Sequence, residues 1–206
     1  MELNANLVKE LREKTGAGIM DCKRALAEAA GNLEKAVVWL REKGIAAAAG
    51  RAGRVASEGS VGSYIHAGGK LGVLIEVNCE TDFCAKSEAF QALVKNLAMQ
   101  VAASNPRCVR REELLPAVIE QERQIYASQA EDKPAAVVTK IVDGKLEKFY
   151  KEACLLEQAY VRDPNKTVND LLGEAAIQMR EKIDVRRFVR YQLGEALDGK
   201  ATTAAA

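Results

Sequence analysis

Two neighbouring apolar segments in the middle of the chain restrict the possible folds most. Residues 71–77 form an apolar run of strand length, and a helix with one apolar stripe is predicted a few residues later. The stripe consists of Phe90, Leu93, Val94, Leu97 and Val101. Because the strand is apolar on both faces for part of its length, we expect it to lie centrally in a sheet with a helix over one side.

Two further segments are predicted to complete this sheet. Residues 61–66 and the turn-forming residues 67–70 predict a hairpin with the central strand. Residues 183–193 alternate between apolar and polar side chains, which predicts a third strand with one mostly apolar face. The sequence therefore predicts an α+β core over residues 59–197, with a three-stranded antiparallel sheet covered by helices.

The segment between the long helix and the third strand is predicted to be helical and rich in loops. One helix begins at Pro116, a residue that suits the first position of a helix. Residues 134–142 predict a shorter helix that ends before Gly144. A turn is predicted at residues 163–165, and Thr167, three residues before an aspartate, resembles the start of a capping box.

The first 44 residues are predicted to form a separate module of three short helices. The third of these helices is predicted to end at Gly44, a natural helix-terminating residue. Residues 45–58 are predicted to be a linker because glycines interrupt an alanine-rich run. Residues 198–206 are predicted to be a flexible tail.

The junction between the central strand and the long helix contains the most informative candidate site. Phe83 stands beside two carboxylates, Glu80 and Asp82, in a segment that should face solvent. Fully burying a phenylalanine side chain is worth about 1.5–3 kcal/mol. The ring therefore either packs on its own helix, with Asp82 as the N-cap, or binds a pocket of a partner. From the residues alone both interpretations stay open.

Charge and hydropathy argue against several classes of protein. The chain has 30 basic and 29 acidic residues and a net charge of +1, which argues against nucleic-acid binding driven by bulk charge. No apolar run approaches the roughly 18 residues of a membrane span, and the first residues lack the pattern of a secretory signal or a transit peptide. We therefore expect a cytoplasmic protein that binds neither nucleic acid directly nor a membrane.

The residue types offer little for catalysis. His66 is the only histidine, and the sequence contains no nucleotide-binding loop and no nucleophile elbow. The cysteines are odd in number and scattered, which is typical of reduced, packed thiols. They are Cys22, Cys79, Cys84, Cys108 and Cys154. We expect no enzymatic activity, no metal site and no cofactor.

Two segments of the chain carry a resemblance to one known family. They are residues 7–26 (LVKELREKTGAGIMDCKRAL) and residues 76–86 (EVNCETDFCAK). The first resembles the amino-terminal signature of the translation elongation factors Ts, and the second resembles another signature of the same family. Residues 144–150 with 155–158, and residues 163–164 with 166–168, also resemble it, so that the likeness covers about residues 2–197. It departs at Cys84, where the family commonly has an aliphatic residue.

The resemblance implies a fold and a partner. Members have an N-terminal domain similar to the ubiquitin-associated fold, which would be residues 1–44 here, followed by an α+β core. The implied role is guanine-nucleotide exchange on the GTPase elongation factor Tu. Because this chain has room for one sheet unit, it is similar to the short members, for which the resemblance implies a homodimer.

The resemblance also implies which residues contact elongation factor Tu. Phe83 would insert between helices of the GTPase and disturb its Mg²⁺ and phosphate site, and Asp82 would pair at the rim and orient the turn. The further implied contacts are Thr81, Arg12, Ile19, Met20, Lys23 and His66.

Two other functions remain open at this point. The chain is also compatible with an adaptor of the ubiquitin-associated type that binds peptide helices without exchange activity. An enzyme would have to use Glu80 with Asp82, or Cys79 with Cys84, because these are the paired reactive groups of the junction.

Overall fold

The computed structural model describes residues 5–15, 17–51, 53–130 and 133–195. The predicted tail, residues 198–206, lies outside the described residues. Among the described helices, none combines the length and the apolar character that a membrane span requires.

The described elements form an α+β fold. The strands are β1 (Glu58–Ile65), β2 (Leu71–Cys79), β3 (Ala159–Tyr160), β4 (Asp163–Thr167) and β5 (Asp184–Gln192). The helices are α1 (Ala5–Thr15), α2 (Ile19–Glu28), α3 (Leu33–Arg51), α4 (Asp82–Lys86), α5 (Glu88–Ser104), α6 (Pro116–Ser128), α7 (Ala135–Ala153) and α8 (Val168–Met179).

The central position of β2 is confirmed. The main sheet has the order β1-β2-β5, and both pairings are antiparallel. Side chains alternate across a strand, so that Val73, Ile75 and Val77 of β2 are buried with α5 while Leu74 is exposed on the opposite face. The sheet therefore has one covered face and one open face.

Helix α5 is capped at both ends. The Ser87 side chain caps its N-terminus by accepting a hydrogen bond from the backbone N–H of Phe90 at 3.2 Å. Asn105 adopts a left-handed conformation after the last turn, with a proline next in the chain. The apolar stripe of this helix fills the core of the α+β part.

The N-terminal module contains three helices with their own core, but α3 does not end at Gly44. It continues to Arg51. Gly44 lies inside the helix and is buried where α3 approaches α8. A Cβ atom at this position would lie 2.5 Å from Cδ1 of Ile177. The glycine therefore serves close packing and does not end the helix. The division into residues 1–44, 45–58 and 59–197 stays a prediction.

Two other local predictions are wrong. Helix α7 runs through Gly144, because Val142, Leu146 and Phe149 bury one side of the helix, and an internal glycine costs only about 1 kcal/mol. Residues 163–165 lie in β4, which pairs with β3, and do not form the predicted turn. The capping box at the start of α8 is confirmed.

Candidate functional site

The junction after β2 contains a short helix that the sequence pattern does not reveal. Helix α4 has five residues, and Thr81 is its N-cap, with Oγ1 accepting a hydrogen bond from the backbone N–H of Cys84 at 3.2 Å. A threonine with extended backbone is a favourable N-cap. Asp82 is therefore the first residue of the helix and not its cap.

The Phe83 side chain is directed to solvent. It is 84% exposed, whereas Phe90 at the start of α5 is fully buried. The neighbours of Phe83 along α4 are Cys84 and Ala85, both buried, so the short helix packs on the core through one side and presents the ring on the other. The interpretation in which Phe83 packs on its own helix is therefore wrong.

Asp82 pairs within its own helix. Its carboxylate accepts a hydrogen bond from Nζ of Lys86 at 2.8 Å, one turn later. This contact lowers the pKa of Asp82 and raises that of Lys86. The carboxylate beside Phe83 is thus ionised at neutral pH and paired with an exposed cation.

Glu181, in the loop after α8, stabilises the turn from the other side. One carboxylate oxygen accepts hydrogen bonds from the backbone N–H groups of Glu80 and Thr81, at 2.9 and 3.0 Å, and the other accepts from Oγ1 of Thr81. Hydrogen bonds of this kind to a charged acceptor are stronger than neutral ones. Glu181 therefore holds the segment from which α4 begins.

Glu80 makes the reciprocal contact. Its carboxylate accepts a hydrogen bond from the backbone N–H of Lys182 at 2.6 Å and pairs with Arg54 at 3.1 Å. Each of the two segments thus supplies a carboxylate to the backbone of the other. Because Glu80 is engaged in this way, a structural role accounts for it without acid–base chemistry.

The second group of candidate residues lies on the N-terminal module. Arg12 and Lys23 line a shallow groove between α1 and α2, together with Ile19 at the first position of α2. Ile19 is 50% exposed and Met20 is 65% exposed. Neither apolar side chain is part of the core of the module, which leaves both available for contact with another molecule.

Arg180 connects the two groups of candidate residues. Its guanidinium pairs with Asp21, the residue after Met20, at 2.7 Å, while the next residue of the chain, Glu181, holds the Phe83 turn. The guanidinium lies close against Gly18, where a Cβ atom would lie 2.1 Å from Nη2 of Arg180. Sequence reasoning missed Arg180 and Glu181, and no local pattern around them indicates their partners.

His66 is not brought together with the other candidates. It follows β1 at the hairpin, where its Nδ1 lies 2.9 Å from the Tyr64 hydroxyl. Phe83 follows the opposite end of β2, a strand of nine residues. At about 3.3 Å per residue, the two sites are separated by the length of the sheet.

The paired thiols at this junction are poor nucleophiles. Cys79 and Cys84 are both buried, and burial raises the pKa of Cys84 to about 12 and also raises that of Cys79. The thiolate is the reactive form of cysteine, and at neutral pH these groups remain protonated. An enzyme that uses this pair is therefore disfavoured.

Comparisons with known proteins agree with the sequence signatures. A family model described as elongation factor TS matches residues 5–195. The elongation factor Ts of Desulforamulus reducens is 58% identical over 199 residues, which cover 96% of this chain and 92% of that protein. That of Geobacter metallireducens is 56% identical over 208 residues, covering 100% of this chain and 96% of that protein.

Proposed function

This chain belongs to the elongation factor Ts family, and we propose that it releases GDP from elongation factor Tu by inserting the side chain of Phe83 into that GTPase. As a member of the family it has the role of a nucleotide exchange factor in translation elongation. Such a factor makes and breaks no covalent bond, so the residues to explain are those that bind a partner and not a set of catalytic groups.

The single observation that carries the proposal is the exposure of Phe83. A large aromatic side chain is rarely left in water at the tip of a well-packed helix, because its burial is worth about 1.5–3 kcal/mol. Thr81 and Glu181 fix the backbone that presents the ring. A backbone fixed in this way loses little conformational entropy when the ring enters a pocket, which favours tight binding.

Exchange follows from differential binding. A GTPase holds its nucleotide through phosphate contacts and Mg²⁺. If the Phe83 ring shifts the elements that support the Mg²⁺, the factor binds the empty GTPase more tightly than the loaded one. The exchange factor and the nucleotide then reduce each other's affinity for the GTPase to the same extent, because coupling between two sites is reciprocal. GDP release is accelerated without any change in the final equilibrium.

The exposed residues of the N-terminal module are proposed as a second contact. Met20 is unbranched and flexible, a property that suits an adaptable apolar contact, and Ile19 lies next to it at the edge of the groove. Arg12 and Lys23 add positive charge to the same surface. We propose that this surface binds elongation factor Tu together with the turn at Phe83, whereas the hydrogen bond of His66 to Tyr64 favours a structural role for that histidine.

A homodimer is proposed from the open face of the main sheet. Strand register aligns Ile65 with Tyr191 across Gly72, and Leu74 with Val189 in the next row. All four large side chains are exposed. A contiguous apolar surface of this kind is uncommon on a monomer, and a second copy of the same chain would cover it with an equally apolar face.

The experiment that tests the proposed function measures the release of fluorescent GDP from elongation factor Tu. Preloaded elongation factor Tu is mixed with excess unlabelled GDP, with and without this protein, and the fluorescence decay is followed. We expect the decay to accelerate with protein concentration. An unchanged decay rate, in a sample that binds elongation factor Tu, would instead indicate an adaptor without exchange activity.

A further inference from the structure

The turn that exposes Phe83 also brings three potential metal ligands together. Sγ of Cys79, Sγ of Cys84 and a carboxylate oxygen of Glu181 all lie within 4.8 Å of one another. Both cysteines are buried and Glu181 is half-buried. We propose that these three side chains form a binding site for Zn²⁺, a divalent cation that binds both sulfur and oxygen ligands.

The donor set decides the class of metal. Two thiolates and one carboxylate are ligands that Zn²⁺ accepts, whereas Mg²⁺ and Ca²⁺ require oxygen ligands throughout. With Zn–S distances of about 2.3 Å, two sulfur ligands of a tetrahedral site lie about 3.8 Å apart. Because all three atoms lie within 4.8 Å of one another, the two sulfur atoms need to approach by about 1 Å at most, which is within the reach of side-chain rotation. Water would occupy the fourth position.

The surrounding backbone orients the carboxylate ligand. The backbone N–H groups of Glu80 and Thr81 hold the Glu181 carboxylate, and groups that position a metal ligand in this way raise affinity. The hydrogen bond that Sγ of Cys79 donates to the backbone carbonyl of Thr81, at 3.2 Å, is given up when the thiolate forms. Binding has to displace two thiol protons, and the charge of the ion provides the driving force because a coordinated thiol is deprotonated.

The site joins three elements that are distant in the sequence. Cys79 is the last residue of β2, Cys84 is in α4, and Glu181 follows α8. A bound ion would link all three directly behind the Phe83 ring. Because the ion binds only the folded arrangement, it also stabilises the protein against unfolding.

The test uses the full-length, reduced, metal-free protein. Cadmium is the spectroscopic probe, since its bonds to thiolate absorb in the ultraviolet, and the Zn²⁺ affinity is measured by competition with a chromophoric chelator. We expect one equivalent to bind with thiolate absorption and to raise the unfolding temperature. In Cys84→Val, which keeps a buried apolar side chain in α4, we expect the absorption to fall and the Zn²⁺ affinity to drop at least about tenfold.

A matched control separates this site from the other thiol pair of the described chain. Cys108 and Cys154 lie with their sulfur atoms 3.7 Å apart and are also buried. The variant Cys108→Ala removes that pair and should bind Zn²⁺ as tightly as the parent. If Cys108→Ala lost Zn²⁺ binding while Cys84→Val still bound Zn²⁺, the metal would be assigned to Cys108 and Cys154, and the proposal would be overturned.

A third variant tests the carboxylate. Glu181→Gln retains an oxygen that accepts the two backbone hydrogen bonds, so the turn should stay folded, as circular dichroism can check. We expect its Zn²⁺ affinity to fall about tenfold or more. Binding as tight as that of the parent, or a parent that binds less than one equivalent, contradicts the three-ligand site.

Discussion

Replacing Phe83 by alanine should slow nucleotide exchange while leaving the protein folded. The side chain is 84% exposed in the free protein. Most of the free energy gained by burying a phenylalanine, about 1.5–3 kcal/mol, can therefore stabilise a complex in which the ring becomes buried. Scaling by the exposed fraction gives roughly 1.3–2.5 kcal/mol. At about 1.4 kcal/mol for each tenfold change, GDP release at a fixed low concentration of Phe83→Ala should be roughly 10- to 60-fold slower.

The matched control is Phe90→Ala, because the same atoms are removed from a fully buried position seven residues later. Its free energy of unfolding should fall by about 3–5 kcal/mol. That of Phe83→Ala should stay within about 0.5 kcal/mol of the parent, as is usual for surface positions. Urea unfolding measures both values, and stopped-flow fluorescence measures GDP release.

Two results would refute the reasoning about Phe83. The first is GDP release at the parent rate in Phe83→Ala, which would mean that the ring contributes nothing to exchange. The second is a loss of stability similar to that of Phe90→Ala, which would mean that the ring is buried in the free protein. In both cases the proposed insertion into elongation factor Tu would have to be abandoned.

Three further predictions concern the surroundings of the site. In Glu181→Ala, two backbone N–H groups lose their acceptor, so we expect the free energy of unfolding to fall by about 1–2 kcal/mol in urea; an unchanged midpoint would contradict the role of this carboxylate. In Leu74→Glu, a charge enters the open sheet face, and we expect a monomer in sedimentation at concentrations at which the parent is a dimer; a monomeric parent would contradict the dimer. In Lys86→Met, the pKa of Asp82 should rise towards its ordinary value in an NMR titration, because the hydrogen bond that lowers it is gone. Because the pKa of Asp82 is lower in the folded protein than in the unfolded chain, the Asp82–Lys86 pair stabilises the fold at pH values above the ordinary carboxylate pKa. This stabilisation is lost as the pH falls through the pKa that Asp82 has in the folded protein. An unchanged pKa in this variant would show that the pairing is absent in solution.

Much of the α+β core was predictable because its signals are local. The apolar run of β2 and the stripe of α5 follow from side-chain periodicity within one element, and both elements lie where the periodicity places them. The helix ends predicted at Gly44 and before Gly144 were wrong because they depend on contacts between distant segments. There, packing against another helix outweighed the low helix propensity of glycine, and that packing is not visible in the local sequence.

The candidate site was likewise predictable where its signals are local and not where they are long-range. The signature around Phe83 identified the turn, but whether the ring was buried depended on the fold of the short helix α4, which Thr81 caps. Glu181 lies 101 residues after Glu80, and its carboxylate reaches the turn only because α8 ends beside β2. A long-range contact between two backbone amides and one carboxylate leaves no periodic pattern in the sequence.

The adjacency of Arg180 and Glu181 has a consequence for affinity. One residue holds the N-terminal module at Asp21 and the next holds the turn at Phe83, so the two proposed contact surfaces are connected by a few covalent bonds and short hydrogen bonds. When one surface docks on a GTPase, the other is confined near its target at a high effective concentration. Each surface alone can then be weak and rapidly reversible, while the pair together gives a complex stable enough to displace a nucleotide.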